Sequence, residues 1–561
     1  TDATFENRSK KISDSISFNG YNIFAFDKLK YKPKALTDAV LIAKNSLFKD
    51  LDRTRTYRYL NELKSFKYPN IEYKKNPGDS TLTANIFLIP KKKYGLGFDI
   101  NISQSNIQKV GLSFSSGVFV RNIFKGAETL QLSILGAIGA SKDGAKTADK
   151  FFDINELGAD VKLNIPRLFF PIKTEKIIPK YMSPTTRIST GFTGQTNIGL
   201  DKQTFNGILS YNWFPSEKIT NSLDLINFQY VRNLNPGNYF NVYQNSFSRL
   251  DNIATDIYDT PANFITTNSN GQSELIISMA DEFINLVSSD NLFQNLNPNV
   301  FQAVGDIRER KNRLTQDNFI LASNFNYVRD SRENPFDTDF SIFRIKFELA
   351  GNLLYNFSKL LNLESNTDGA YQVSGVPFSQ YIKTEVDYIK LWELGRNNVL
   401  ALRSFLGIAI PLKNASSIPF SKSFFAGGSN DNRAWTAYDL GPGSSNNNNE
   451  FNEANMKLAF SLEYRFKLLG KLNGALFTDA GNIWNVLDDV SDPKANFNNF
   501  EALKDIGLGA GFGLRYDFDF FILRLDTGFK AYNPSYELNK RWLKDFNFNN
   551  AVYNIGINYP F

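Results

Sequence analysis

Arg433 sits at the centre of SKSFFAGGSNDNRAWTAYDLGPGSSNNNN (421–449), a stretch so rich in Gly, Asn and Ser that it reads as loop. Trp435 follows two residues on. A guanidinium forms planar, two-pronged contacts with carboxylates, and an indole brings a large rigid surface. A solvated loop needs neither, so the pair points to a docked loop; the plain alternative is that Arg433 is a solvated charge. Other chemistry is thinly supplied. The 561 residues include no histidine and no cysteine. That removes Ser–His and Cys–His nucleophile systems and leaves zinc without its usual ligands. No Gly-rich phosphate loop ending in Lys-Ser/Thr occurs, and no Gly-x-Ser-x-Gly elbow. The residues point away from an enzyme, and no catalytic, cofactor or metal site is expected.

The elements that could position such a loop are legible in composition and period. Phe and Tyr number 51 and 25 and aromatics reach 14%, yet mean hydropathy is negative. No apolar run of about 18 residues occurs, so no helix of membrane-crossing type is predicted. The opening TDATFENRSKKISD lacks the apolar core of a signal peptide, and the chain reads as a processed or truncated form. Such a balance fits a transmembrane β-barrel, whose strands are apolar on one face only, and it also fits a water-exposed all-β protein with a Phe-rich core.

The chain divides near residue 93. Residues 1–93 carry 19 Lys+Arg against 10 Asp+Glu, whereas the whole chain is only +6. This basic part would lie near anionic headgroups or simply be solvated. Its pattern predicts a strand at 21–31, helices at 33–48 and 50–66, and strands at 70–75 and 80–90, a small α+β module. Beyond Tyr94 the period is two. Met456, Leu458, Phe460, Leu462, Tyr464 and Phe466 share one face against Lys457, Ser461, Glu463 and Arg465. In 506–518, Leu508, Phe512, Leu514 and Tyr516 oppose Gly507, Gly509, Gly511, Gly513 and Arg515, leaving room on the polar face for something inside. Leu523 and Leu525 likewise oppose Arg524 and Asp526, and Phe477, Asp479 and Gly481 share the polar face of FTDAG. About sixteen such segments run to the last residue, long enough to cross a bilayer when tilted, with aromatics at their ends. The final one, VYNIGINYPF, sets Tyr553, Ile555, Ile557, Tyr559 and Phe561 against Asn554, Gly556 and Asn558. A connection of about 234–313 is far too long for a turn. It contains a helical face of Leu275, Met279, Phe283 and Leu286 and reads as a cap over one mouth or as a solvated insertion.

Four stretches make the chain resemble the BamA/TamA outer-membrane assembly superfamily, most of all its Bacteroidetes TamL-type branch. RTYRYLNELKSFKYPNIEY is similar to the second helix and following strand of a polypeptide-transport-associated (POTRA) domain. RNIFKGAE (121–128) resembles the family's first hairpin turn, GGSNDNRAW (427–435) its sixth loop, and FTDAG its Phe-x-Asp-x-Gly strand. Where the loop usually has Arg-Gly-aromatic, this chain has Arg433-Ala434-Trp435; Ala tolerates positive φ less well than Gly, so the tip conformation is expected to differ. The resemblance implies a POTRA-like periplasmic domain at 1–93 and an outer-membrane barrel at 94–561. It also implies an extracellular loop near 234–313 and an inward-folding loop near 411–454, its Asn-rich end returning to the wall. It implies a clamp of Arg433 on Glu463 and Asp479, with Trp435, Gly427, Gly428, Phe477 and Gly481 around it. The implied function is ATP-independent assembly or export of client proteins, through a weak seam between 94–103 and 550–561, with Gly95, Gly97, Tyr553, Tyr559 and Phe561 as seam and C-terminal-signal residues. Its partners would be the bilayer, the clients and an envelope accessory protein; no nucleic acid is expected. Two rivals remain: a dedicated two-partner-type secretion pore, and a passive porin or receptor barrel.

Overall fold

The computed structural model describes residues 12–561 apart from 104–107, 142–153, 173, 175, 198–199, 269–270, 335–336, 368, 396, 446–451, 489 and 491. Before Tyr94 the described residues form two hairpins and two helices. β1 (Asp14–Phe18) pairs with β2 (Tyr21–Ala25), helices Pro33–Thr37 and Asp50–Glu62 follow, and β3 (Phe66–Lys75) pairs with β4 (Leu82–Pro90). The two hairpins are separate sheets. Tyr59 and Leu60 of the longer helix and Leu63 at its C-terminal cap pack on Tyr31, Ala39 and Phe66. The helix expected over 33–48 ends at Thr37. Beyond it, side chains from neighbouring elements take up the backbone. Thr56 Oγ1 accepts from the Leu41 N–H at 3.0 Å, and Tyr21 Oη donates to the Ile42 carbonyl at 3.0 Å. Tertiary partners for these groups outcompete the helical ladder.

From Tyr94, sixteen strands form one antiparallel sheet in chain order. They begin with β5 (Tyr94–Ser103), β6 (Gln108–Arg121), β7 (Thr129–Ser141), β8 (Ile154–Ile165), β9 (Thr185–Asn197), β10 (Leu200–Ser216) and β11 (Ile219–Asn233). After the loop strands β12 (Ile265–Thr267) and β13 (Ser273–Leu275) come β14 (Asn318–Asp330) and β15 (Phe340–Ala350). The loop pair β16 (Gln372–Val373) and β17 (Val376–Pro377) precedes β18 (Tyr381–Gly395), β19 (Asn398–Pro411), β20 (Met456–Leu469), β21 (Leu472–Trp484), β22 (Gly507–Asp517), β23 (Ile522–Tyr532) and β24 (Val552–Ile557). The alternation read from the sequence sorts the faces: Phe460, Phe512, Leu514 and Tyr516 are exposed outward, while Glu463, Arg465, Arg515, Arg524 and Asp526 are buried inward. β14 begins at Asn318, later than the pattern suggested, because the preceding helix runs through Thr315.

The last strand departs most from its pattern. β24 stops at Ile557, Asn558 takes φ 64°, and the chain turns inward. Tyr553, Ile555 and Ile557 face outward and are exposed. Tyr559 and Phe561, expected on that same face, instead lie with their rings against the lumenal Arg465 guanidinium, at 4.0 and 5.5 Å from its centre. Phe561 packs beside Ile342, Ile389, Leu391 and Ala401. β24 and β5 stand at opposite ends of the strand order and are not paired with each other.

The N-terminal module docks under the β6–β7 turn. The Lys32 N–H donates to Lys125 O at 2.6 Å, Asn122 Nδ2 donates to Lys30 O at 2.8 Å, and Ala127 joins the module's core. Asn122, Lys125 and Ala127 all adopt positive φ there, and Glu128 holds the turn by accepting from the Gly126 N–H at 2.8 Å and pairing with Arg167 at 2.7 Å.

At the other end of the sheet, the 234–317 connection folds into a helical unit of its own. Helices Gln244–Asp256, Ala280–Ser288 and Pro298–Thr315 enclose a core of Phe247, Leu250, Phe283, Val304 and Ile307. Leu275, read as part of a helix, belongs to β13. Arg313 ties this unit to the sheet's loops, meeting Glu453 and Asp488 at 3.0 Å each and donating to the Ile418 carbonyl at 3.3 Å. Beside it, burial pushes Glu309 up to about 7; Arg313 opposes the shift and Asp488, Asp306 and Glu453 reinforce it. Glu309 is thus protonated more readily in the folded helical unit than in an unfolded chain. Its contribution is present at pH 4.5 and lost as the pH rises through about 7. Hydrogen exchange over 298–315, corrected for intrinsic rates, should be slower at pH 5.5 than at pH 8, and Glu309→Gln should abolish the difference.

Candidate functional site

The connection between β19 and β20 turns back into the barrel. Its neck is closed by the Phe424–Ala454 bridge, with N–H···O distances of 2.7 and 2.9 Å. Its tip is folded by Gly427 and Gly428, at φ 92° and 101°, where the Gly428 N–H donates to Trp435 O at 2.9 Å. A Cβ on Gly427 would also stand 2.1 Å from Thr436 O, so glycine is required there on both counts.

Arg433, only 1% exposed, occupies the far end of that tip. Its Nε and Nη2 donate to the two oxygens of Asp479 at 2.8 and 2.9 Å, its backbone N–H donates to Asp479 at 3.1 Å, and Nη1 donates to Glu463. The guanidinium lies 3.5 Å over the Phe477 ring. Burial works against the charged form, and Asp479 and Glu463 outweigh it, so Arg433 stays above the ordinary arginine range. The cluster extends further along the wall. Arg515 meets Glu463 at 3.2 Å and also Asp526; Arg465 meets Glu463 at 2.9 Å; Arg524 meets Asp526 at 3.4 Å and donates to Asn430 at 2.7 Å. Asn554 of β24 donates to the Arg433 carbonyl at 2.9 Å, which links the loop to the last strand.

The glycine row of β22 is the socket for the tip. A Cβ on Gly509 would stand 2.6 Å from the Ala434 methyl, and one on Gly507 would meet Leu440 and Trp435. Trp435 is buried with Ala434, Leu440 and Ile483 in an apolar cluster. Ala434 is not among the residues at positive φ, so this tip has no need of a glycine at that position. Arg433, Glu463, Asp479 and Phe477 are therefore in direct contact and Trp435 is adjacent. A Cβ on Gly481 would meet Leu458 and Ala459 of the neighbouring strand first. Gly95 and Gly97, on the β5 edge, make room for the side chains of Arg121 and Phe119. The reading of the residues did not assign Arg465, Arg515, Arg524, Asp526 and Asn554 to the site. All five were visible as polar-face residues, but strand register decides which of them meet. The Asn-rich end of the loop, 446–451, lies outside the described residues.

Chemically this is an ion-pair network in which Glu463, Asp479 and Asp526 each meet at least one arginine. It suits holding a loop in place.

The sequence profile of the Omp85 superfamily domain matches residues 81–549. No curated relative matches in sequence. In fold, the chain is similar to BamA from Haemophilus ducreyi lacking POTRA domains 1–3, with a TM-score of 0.52 and 11% identity over 94% of this chain and 82% of that one. It also aligns with CdiB from Acinetobacter baumannii, with a TM-score of 0.45 and 10% identity over 94% and 71% of the two chains.

Arg433→Ala would leave Asp479 and Glu463 buried without their shared partner, at a cost of roughly 3–5 kcal/mol. Urea unfolding in detergent should show that loss, and Arg433→Lys, which keeps the charge without the fork, should recover only part of it. Gly528→Ala should mimic the effect, because its Cβ would stand 2.4 Å from Arg433 O.

Proposed function

The chain belongs to the Omp85 superfamily, and on that premise we propose that it assembles or exports client proteins at the outer membrane without ATP. The barrel spans the outer membrane and the N-terminal module lies in the periplasm. The observation that carries the proposal is the pair of unpaired strand ends. β5 and β24 are not bonded to each other, and β24 is short and peels inward at Asn558. An unpaired edge presents a row of free N–H and C=O groups on which a client strand can add. Asn554 places the Arg433 loop in contact with that edge, so the clamp would hold β24 in position while leaving its outer side open.

In this reading residues 1–93 are a POTRA-like docking module for clients or an accessory protein, 94–561 the barrel, and the 234–313 connection an extracellular cap. Glu463, Asp479 and Arg433 act as structural residues, with Gly95, Gly97, Tyr553, Tyr559 and Phe561 at the seam. Ala434–Trp435 in the loop tip is one reason for preferring the TamL-type branch over BamA itself. A passive porin would have no use for a lumen filled by a clamped loop.

Because the chain has no cysteine and no histidine, site-specific probes are clean. Photo-crosslinkers placed at Ile100 on β5 and Ile555 on β24 should capture a nascent outer-membrane client, and planar-bilayer conductance should stay low. Crosslinks confined to lumenal positions such as Arg344, together with a large steady conductance, would replace the assembly reading with a secretion pore.

A further inference from the structure

The longest connection on the periplasmic side joins β8 to β9 and does not stay beneath the barrel. It folds up against the outer wall. Thr186 of β9 and Tyr211 of β10 are cross-strand partners on the outward faces that also carry the exposed Phe192 and Phe205. Yet Thr186 and Tyr211 are only 1% and 3% exposed. The connection covers them. Tyr211 Oη donates to Phe169 O at 3.2 Å, the Phe169 N–H donates to Thr186 Oγ1 at 2.8 Å, Thr186 Oγ1 donates to Arg167 O at 2.9 Å, and the Phe170 ring meets Tyr211 edge-on at 5.6 Å. Having taken over a patch of lipid-facing wall, the segment presents new apolar surface of its own. Phe169, Ile172 and Ile177 are 60%, 70% and 78% exposed, and Lys176 and Lys180 are exposed beside them.

We propose that residues 166–172 and 176–184 form a foot in the periplasmic leaflet of the outer membrane. Phe169, Ile172 and Ile177 enter the edge of the acyl region, and Lys176 and Lys180 lie at the phosphate level. Two features select a phospholipid leaflet as the occupant. The foot is continuous with the lipid-facing wall through Thr186, Tyr211 and the exposed Ile188. Its apolar tips alternate with lysines, the pattern that places a segment at a membrane interface and draws it to anionic headgroups. The foot also grips the N-terminal module. Tyr59 Oη donates to Pro166 O at 3.5 Å, Lys180 Nζ donates to Val40 O at 3.3 Å, and the Arg55 guanidinium lies 5.6 Å over the Tyr181 ring. A module held to a segment that rides in the bilayer has its tilt set by the bilayer plane.

The test uses the full chain reconstituted in vesicles of phosphatidylethanolamine and phosphatidylglycerol, with single labelled cysteines at Ile172→Cys and Ile177→Cys. A fluorophore at either site should be quenched by spin-labelled lipid about as strongly as one at Leu476→Cys on the outer wall. It should resist aqueous iodide, which quenches a label at Ser80→Cys in the module hairpin. Lys176→Glu should leave the barrel folded, by its heat-dependent gel shift, and reduce lipid quenching at residue 177 several-fold. Labels quenched by iodide as at residue 80, or shielded from both quenchers as under a protein partner, would overturn the proposal.

Discussion

A guanidinium taken out of water must have its charge and its N–H groups answered, or it will not stay. That requirement organises the interior of this barrel. Arg433 is answered by Asp479 on three donors and by Glu463 on a fourth. Those carboxylates in turn need the surrounding arginines of β20 and β22 to share Glu463, and Asp526 to balance Arg515 and Arg524. Buried ion pairs contribute little net stability when compared with apolar packing, but removing one partner is costly. The cluster is therefore better understood as specifying where the loop sits than as the source of the fold's stability. Four strands, β20 to β23, supply the wall, and in the observed register the Arg433 charge is met by Asp479 and Glu463.

The same interior explains why the sheet is allowed to remain open. A barrel whose first and last strands do not pair must be kept in shape from within. The clamp reaches β24 through Asn554, and the tail beyond it lays Tyr559 and Phe561 against Arg465 and the lumenal face of β15, β18 and β19. At the other end, Arg313 fastens the helical 234–317 connection to residues of the loops. Contacts that cross the lumen thus stand in for the missing ladder.

Much of this was legible in the sequence because lipid and lumen impose opposite demands on alternate residues. The period-two pattern located the sixteen strands and assigned Glu463, Phe477 and Asp479 to the inner wall, and the glycines of β22 announced that something occupied the space beside them. Contacts fixed by tertiary register could not be read this way. Arg515, Arg524 and Asp526 were visible as inward residues, but only the strand offset pairs them with Glu463 and with one another. The helix expected past Thr37 is unwound because Tyr21 and Thr56, distant in sequence, capture its backbone groups. Tyr559 and Phe561 keep the outward period in the sequence, and a single residue at positive φ, Asn558, reverses them. The β8–β9 connection carried no periodic signal at all.

The socket in β22 has one more implication. Gly509 leaves vacant the volume that the Ala434 methyl fills, with the hypothetical Cβ only 2.6 Å away. Wall and loop draw on one shared allotment of space, although 75 residues separate Asn432 from the Gly507 carbonyl it bonds. A larger side chain on either surface is admissible only if the other gives up atoms. The loop tip and the wall are thus one steric unit, and the size of residue 434 sets the size that residue 509 can have.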